Sequence, residues 1–538
     1  MFMPGRREQA WSALEQPLDL LVIGGGITGA GILHDAALRG LRVALVERGD
    51  FACGTSSRSS KLIHGGLRYL RKMQLRITRT ACRERDLLAR NNPHLVSPVR
   101  FLYPSYASDP TPGWQVNLGL AMYDHLTAVP HRHEKVDRQD AARLVPELAL
   151  EDLEFGLLYD DAVGDDARLV LAVIEAGVLA GGVALNYAGV EELIFGPGDR
   201  VVGAAVRDLA GTGVRRVFAA VVVNSTGVWC DEIRAMMGKA APRLRPSRGS
   251  HLLFPRHRLA LQVAVTALSP DDGRPVFAVP HAEGTLIGTT DLFHFGPLEN
   301  PRPDREEVAY LMRFAQTLFP SSALTVADVC GAFAGVRPIL DSHADEPSEA
   351  SREEAIWEEN GMVSTAGGKL TTFRATAEEV VDAAVKLLPE ERRDAVPAGG
   401  TAAVALPQRL DPAKAIAALR SRGVVEPVAA ALVRRLGAAA LPCALTTEAR
   451  SLRPLAEGVD LCAAEVAWHL RFGAVVHLDD LLLRRVRLGM WQPKLCLAVA
   501  PRLRRLVRPL AGWGFARWKA ELKRLNVQVA NWLPPEPP

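Results

Sequence analysis

The sequence contains no C-x-x-C pair. Its cysteines, Cys53, Cys82, Cys230, Cys330, Cys443, Cys462 and Cys496, are odd in number and widely scattered. That pattern excludes a disulfide framework and a cysteine-based metal site, so no metal is expected, and a reducing cytoplasmic compartment fits best. Long apolar runs are also missing. No stretch approaches the ~18 uninterrupted apolar residues of a membrane span. The first apolar run, Leu18 to Leu33, carries Asp19 and is broken by Gly24, Gly25, Gly26, Gly29 and Gly31. A nucleotide-binding turn explains those glycines better than a signal-peptide core does. There are no internal repeats. Hydrophobic residues at 48% and charged residues at 23% match ordinary globular proteins and exclude fibrous or disordered classes.

A strong overall charge is lacking too, but the charge is unevenly placed. Residues 484–538 hold 12 Lys/Arg against 2 Asp/Glu, a balance of +10, which leaves −7 on the rest of a chain whose net charge is +3. A chain of 538 residues is long enough for two to four domains. Residues 18–47 read as strand, glycine turn, helix, strand. Phe218 to Val223 reads as another strand, closed by Asn224-Ser225-Thr226-Gly227. Residues 361–385 read as a short strand, Gly367-Gly368, then a helix starting near Lys369. One style repeated at distant positions predicts a discontinuous α/β Rossmann-like domain built from 17–75, 156–245 and 326–390. Residues 76–155 and 246–325 mix both periodicities and form a candidate α+β substrate domain. A Pro/Ala/Gly-rich linker spans 391–407, and the Ala/Leu/Arg-rich remainder, 408–530, reads as a helical C-terminal domain.

The strongest local motif is Gly24-Gly25-Gly26-Ile27-Thr28-Gly29, a G-x-G-x-x-G between an apolar strand and a helix. Glu47 ends the next strand 18 residues beyond Gly29. Gly24 permits the tight turn, Gly26 lets the backbone approach a pyrophosphate, and Gly29 lets helix and sheet pack closely. The helix N-terminus holds the phosphates. Glu47 accepts from ribose hydroxyls and repels a 2′-phosphate. The motif indicates a dinucleotide and does not separate FAD from NAD.

The residues beyond Glu47 point to FAD. The segment from Thr55 to Leu70, containing Ser56-Ser57-Arg58-Ser59-Ser60 and His64-Gly65-Gly66-Leu67-Arg68-Tyr69, closely resembles the signature of FAD-dependent glycerol-3-phosphate dehydrogenases. The likeness continues at Met122-Tyr123-Asp124-His125, at Asp165-Asp166-Ala167-Arg168-Leu169 and at Gly249-Ser250-His251. It resumes at Ile287-Gly288-Thr289-Thr290-Asp291, Gly335-Val336-Arg337-Pro338 and Gly367-Gly368-Lys369-Leu370-Thr371-Thr372, covering about residues 18–385 in order, with a weaker likeness at Arg484–Gly489. The resemblance implies a two-domain body of the amino-acid-oxidase type with a helical cap, non-covalent FAD, glycerol 3-phosphate as substrate, and peripheral binding to the cytoplasmic face of the cell membrane. Mitochondrial relatives carry EF-hands. This chain has no D-x-[DN]-x-[DN]-G loop, so calcium control is not expected. The lead-in Phe51-Ala52-Cys53-Gly54-Thr55 departs from that of the better-known bacterial enzymes, and the C-terminal domain follows the family only weakly.

Each site residue has a role to weigh against a structural one. A Ser-rich stretch is ordinarily a solvated loop, yet the position of Ser56, Ser57 and Ser60 between Glu47 and His64 points to the pyrophosphate and flavin edge. Gly65 and Gly66 are expected to run close under the ring. Thr226 and Gly227 end a strand beside the cofactor. Gly367, Gly368, Lys369, Leu370 and Thr371 precede a helix whose N-terminus stabilises charge on reduced flavin. The substrate's phosphate needs fixed cations. The family's phosphate-binding positions correspond to Arg68 and Lys369, with Arg337 near the hydroxyls and Tyr69 adding a hydroxyl contact. Proton removal from the alcohol suits a neutral histidine. His251 is slightly favoured as the base, His64 serves as base or flavin contact, and Arg337 stabilises the developing alkoxide.

In the basic tail Arg484, Arg485, Arg487, Arg502, Arg504, Arg505, Arg508, Arg517, Lys519, Lys523 and Arg524 are interleaved with Trp491, Trp513, Trp518 and Trp532. This suits an anionic bilayer surface or the polar face of a cap helix. Nucleic acid is not an expected partner, since no recognition module accompanies the charge. The expected activity is oxidation of glycerol 3-phosphate to dihydroxyacetone phosphate with electrons passed to a membrane quinone. An oxygen-using FAD oxidase of the same or a related acidic alcohol is the first alternative, and a non-catalytic membrane-docking flavoprotein the second. A homodimer is left open, since nothing in the sequence sets the oligomeric state.

Overall fold

The structure, a computed structural model, describes residues 6–66, 74–127, 132–238, 241–342, 347, 354–407 and 409–535. The first strand, Leu18–Ile23, is buried at every position. A strand covered on both faces needs no polar alternation, and this one lies mid-sheet. It pairs in parallel with Val43–Val46 on one side and Val214–Asn224 on the other. Met362–Ala366 and Ala355–Glu359 extend one edge and Val183–Leu185 the other. The helices Ile27–Leu38, Asp166–Leu179 and Phe373–Val385 cover one face with Ile32, Leu33, Val170, Val173, Val380 and Val381. A meander of Ala188–Phe195, Val201–Asp208 and the long strand Val214–Asn224 covers the other. Distant segments thus converge because each is too apolar to stand alone. The price of one polar intruder is visible at Asp19: buried in that strand, it accepts from Arg42 N at 2.7 Å and Arg392 Nη2 at 2.8 Å.

A second, mixed sheet of ten strands stands beside the first. It includes three segments assigned from sequence to the dinucleotide domain. Leu62–Ile63 pairs with Leu153–Gly164, which pairs along its length with Val96–Tyr106. Gly331–Arg337 pairs with Ser247–Pro255. Short strands followed by loops look alike in sequence whichever sheet they join, so the expected boundaries near 75, 156 and 326 do not coincide with the sheets. As a result His64 and Arg337 both sit where a strand of the second sheet ends.

From Pro412 onward the chain is helical, apart from an isolated bridge between Pro454 and Cys462. One stretch there, Glu426–Leu445, is long and apolar enough to cross a membrane, but it is 67% buried inside this domain. Gly437, at φ 56°, breaks it. Val428, Leu432, Val433 and Cys443 from this stretch form the local core with Leu419. The basic tail is not a single surface. Arg484, Arg485, Arg487, Trp491, Trp518 and Trp532 are all buried, so the reading of those six as headgroup contacts is corrected. Arg502, Arg504, Arg505, Lys519 and Lys523 remain exposed.

Candidate active site

Gly24 adopts φ +112°, and a Cβ there would lie 2.6 Å from the Ser225 carbonyl oxygen. A Cβ on Gly29 would fall 1.9 Å from the Gly24 carbonyl. Both positions therefore require glycine, one for the turn and one for the close approach. The helix beginning at Ile27 has Gly26 as its N-cap, with no side chain to offer, and Ser56 Oγ accepts from Ile27 N at 3.0 Å. That N-terminus faces a cleft with about 1260 Å³ of empty space, open solvent included, the arrangement that binds phosphate groups. Glu47 accepts from Gly25 N and Gly49 N, both at 2.7 Å. Burial pushes its carboxyl upward, against those two bonds. Glu47 thus shapes the turn as well as lining the cleft.

Gly24, Gly26, Glu47 and Ser56 line one part of the cleft, and Thr226 and Gly227 another. Gly367, Gly368, Lys369 and Leu370 line it as well. Gly367 and Gly368 take φ 81° and 79° in succession, and the following helix starts at Phe373 rather than near Lys369. The expected helix terminus is therefore a left-handed glycine turn. Gly29, Ser57, Ser60, His64, Gly65, Gly66 and Thr371 are not in the lining. Gly29 is used in packing. Ser57 is buried, its carbonyl accepting from Arg487 Nη2 at 3.1 Å. Thr371 Oγ1 accepts from His64 N at 3.0 Å, which ties the two cofactor-side motifs together. Gly65 donates to Tyr123 Oη at 2.8 Å, and a Cβ there would lie 2.2 Å from that oxygen. Gly65 is thus needed for packing on Tyr123. Gly66 has φ 78°. Arg68 and Tyr69 lie outside the described residues.

Apolar residues of the lining were not foreseen: Val190, Val228, Trp229, Ile233 and Met236. The Arg48 guanidinium stands 4.7 Å over Trp229, and both reach Glu299. The signal was present in Val228-Trp229 directly after Thr226-Gly227, but apolar residues that touch a ligand read like core.

Ser59 and Pro338 also line the cleft, each next in sequence to a residue of the candidate catalytic group. Ser60 Oγ is 2.8 Å from His251 Nε2. His251 stacks on Phe333 with ring centroids 4.7 Å apart and is 1% exposed. Burial, with Arg337 and Lys61 nearby, holds its pKa well below the ordinary histidine value, so the ring is neutral. A Cβ on Gly288 would lie 2.3 Å from His251 Cδ2. Likewise a Cβ on Gly249 would lie 2.1 Å from Arg337 Nη2. The glycines of both motifs thus make room for the His251 ring and the Arg337 guanidinium. Arg337 is held by Asp291 Oδ1 at 3.2 Å and Thr289 Oγ1 at 3.0 Å. His64 is only half-buried, its ring 6.5 Å from Phe277. Cys53 sits in the cleft wall, but burial and Glu47 push its thiol far up, which leaves it unreactive.

The glycine turn, the helix N-terminus in the cleft wall and the acid after the second strand fit FAD. Comparison with known proteins agrees. A family model described as FAD dependent oxidoreductase matches residues 19–347, and one described as the C-terminal domain of alpha-glycerophosphate oxidase matches 396–517. The chain is 34% identical to glycerol-3-phosphate dehydrogenase 2 of Mycobacterium tuberculosis, over 98% of this chain and 90% of that one. It is 37% identical to the aerobic glycerol-3-phosphate dehydrogenase of Bacillus subtilis, over 69% and 68%. The solved structure of the glycerol-3-phosphate dehydrogenase from Bacillus halodurans complexed with FAD superposes with a TM-score of 0.80 at 28% identity, covering 99% of this chain and 98% of that one. The protein is an FAD-dependent oxidoreductase, and it belongs to the glycerol-3-phosphate dehydrogenase family.

Proposed function

We propose that the protein oxidises sn-glycerol 3-phosphate to dihydroxyacetone phosphate and delivers the electrons to a membrane quinone. FAD bound in the cleft supplies the hydride acceptor. The observation that carries the reading is Lys369 in the cleft wall, with Arg337 and His64 at strand ends of the second sheet and His251 inside the strand that pairs with that of Arg337. Lys369, with Arg68, is suited to bind the phosphate. Arg337 is partly neutralised by Asp291 and held in one orientation. That suits it to steady the reacting hydroxyl and its developing negative charge rather than to hold a dianion. The proton acceptor is one of the two histidines. A ring as deeply buried as His251, and as hard to charge, is a poor proton store, so half-buried His64 is the better base. His251 then positions Ser60 in the cofactor loop.

Two features support a membrane acceptor. The last two helices, Arg504–Ala511 and Phe515–Ala530, expose Leu510, Phe515 and Val527 beside exposed Arg504, Arg505, Lys519 and Lys523. Cations with protruding apolar residues suit an anionic lipid surface, which would place the enzyme on the inner face of the cell membrane. The rival acceptor is dioxygen, favoured by the likeness of the C-terminal domain to an alpha-glycerophosphate oxidase. Steady-state turnover decides between them. The proposal expects fast turnover with a soluble ubiquinone or menaquinone analogue and negligible hydrogen peroxide in air. Stoichiometric peroxide with no stimulation by quinone would replace the quinone reading with the oxidase.

A further inference from the structure

A short segment of the C-terminal domain packs against the loop that lines the FAD cleft. Asp480–Arg485 forms a π-helical turn, a local widening common at functional sites. Arg487, just beyond, takes a left-handed φ of 61°. Arg485 donates from Nη1 and Nη2 to the two Asp50 oxygens at 2.7 and 2.8 Å, and Arg484 Nε adds a bond at 2.5 Å. Arg487 Nη2 donates to the Ser57 carbonyl at 3.1 Å and to Asp166 Oδ1 at 2.9 Å. Asp166 Oδ2 accepts from Ser59 N at 3.0 Å and Ser59 Oγ at 2.8 Å, and Oδ1 from Lys61 Nζ at 2.8 Å. Glu47, Cys53, Ser56 and Ser59 of the same loop line the cleft. One loop is thus gripped at two points, at Asp50 and around Ser57–Ser59, by three arginines from a different domain.

Stability is a weak reason for this arrangement. Asp50 and Asp166 are fully buried, and the arginines are nearly so. Buried ion pairs rarely out-stabilise apolar residues of equal volume, but they can fix one geometry against alternatives. We propose that Arg484, Arg485 and Arg487 are positioning residues for FAD: they hold residues 47–61 in the cofactor-binding shape, so that docking of the helical domain and binding of FAD are coupled. Such coupling is reciprocal. A grip that helps FAD bind must be tightened when FAD binds. The proposal concerns the cofactor alone and stands whichever substrate or acceptor the enzyme uses.

The test uses the full-length chain, stripped of FAD and titrated with it again. Arg487→Met is expected to weaken FAD binding about tenfold or more, the scale on which outer-shell partners act at metal sites. Arg487→Lys, which keeps the charge and loses the planar fork, should fall between. KM for substrate in the FAD-saturated variants should stay at the wild-type value. Hydrogen exchange on the wild-type chain gives a second reading that needs no variant. Adding FAD should slow exchange at 480–491 and leave Pro412–Arg420 and Glu426–Leu436, which pack within their own core, unchanged. Unaltered FAD affinity in a folded Arg487→Met protein, or exchange at 480–491 that ignores FAD, would overturn the proposal. If Arg487→Met does not fold, the exchange result decides.

Discussion

Glu47→Gln isolates the acid of the dinucleotide turn with almost no change of shape. Each Glu47 oxygen accepts a backbone N–H at 2.7 Å, from Gly25 and from Gly49. Glutamine keeps one acceptor oxygen and turns the other into an NH₂ that faces an N–H donor. A buried donor left without a partner costs about 1–3 kcal/mol. A lost charge-assisted bond to a ribose hydroxyl adds about 1.5–3 kcal/mol. The first loss falls on the free and the FAD-bound protein alike and appears in the apoprotein's melting temperature, so binding feels only the second, about 1.5–3 kcal/mol. Since every 1.4 kcal/mol is tenfold, FAD binding should weaken roughly 10- to 150-fold. The assay is titration of apoprotein into FAD, following flavin fluorescence, with the melting temperature of the apoprotein recorded alongside. A variant that binds FAD within about threefold of wild type would refute a direct role for Glu47 in cofactor binding, because the turn alone would then account for its two bonds.

Arg337→Met should leave the FAD spectrum unchanged while lowering kcat/KM by about 1.5–3 kcal/mol, or roughly 10- to 150-fold, the worth of a hydrogen bond to a charged group; an unchanged kcat/KM removes Arg337 from the reaction. Asp50 sets a pH dependence: burial alone would raise its pKa, but Arg485 and Arg484 bring it down to about 2. A depressed carboxylate stabilises the fold above its unfolded value near 4, and that contribution, about 2.5 kcal/mol, disappears as the pH falls toward 2. Asp50→Asn should therefore melt below wild type at pH 7, with the gap closing between pH 4 and 2; a gap independent of pH contradicts this. Replacing exposed Phe515 and Val527 together by serine should weaken binding to vesicles rich in anionic lipid about tenfold or more, each buried large side chain contributing about 1.5 kcal/mol or more, and should leave turnover with a soluble quinone unaltered. Equal vesicle binding by both proteins would rule this surface out as the lipid contact.

The legible parts of the fold were those with a local signature. A glycine turn bounded by strand and helix declares itself, and Gly24, Gly26, Glu47 and Ser56 stand together in the cleft wall. The helical character of the Ala/Leu/Arg-rich stretch after residue 408 was equally plain from its composition. Sheet membership was not. Leu62–Ile63 and Gly331–Arg337 carry nothing in their own residues to say which sheet they complete, because pairing partners are set by distant strands. Burial of charge was hidden for the same reason. Arg484, Arg485 and Arg487 read as solvated cations until Asp50 and Asp166, more than 300 residues away, are brought to them. The glycines of Gly249-Ser250-His251 and Ile287-Gly288 were visible as motifs, but that they clear space for Arg337 and His251 shows only when the strands are side by side.

The central claim is that this cleft oxidises a phosphorylated secondary alcohol with FAD. The most direct measurement is anaerobic mixing of the purified yellow protein with sn-glycerol 3-phosphate, and separately with glycerol, while flavin absorbance is followed. The account predicts stoichiometric bleaching by the phosphate ester, none by glycerol at the same concentration, and return of the colour on adding a soluble quinone. Colour that persists with glycerol 3-phosphate would contradict it.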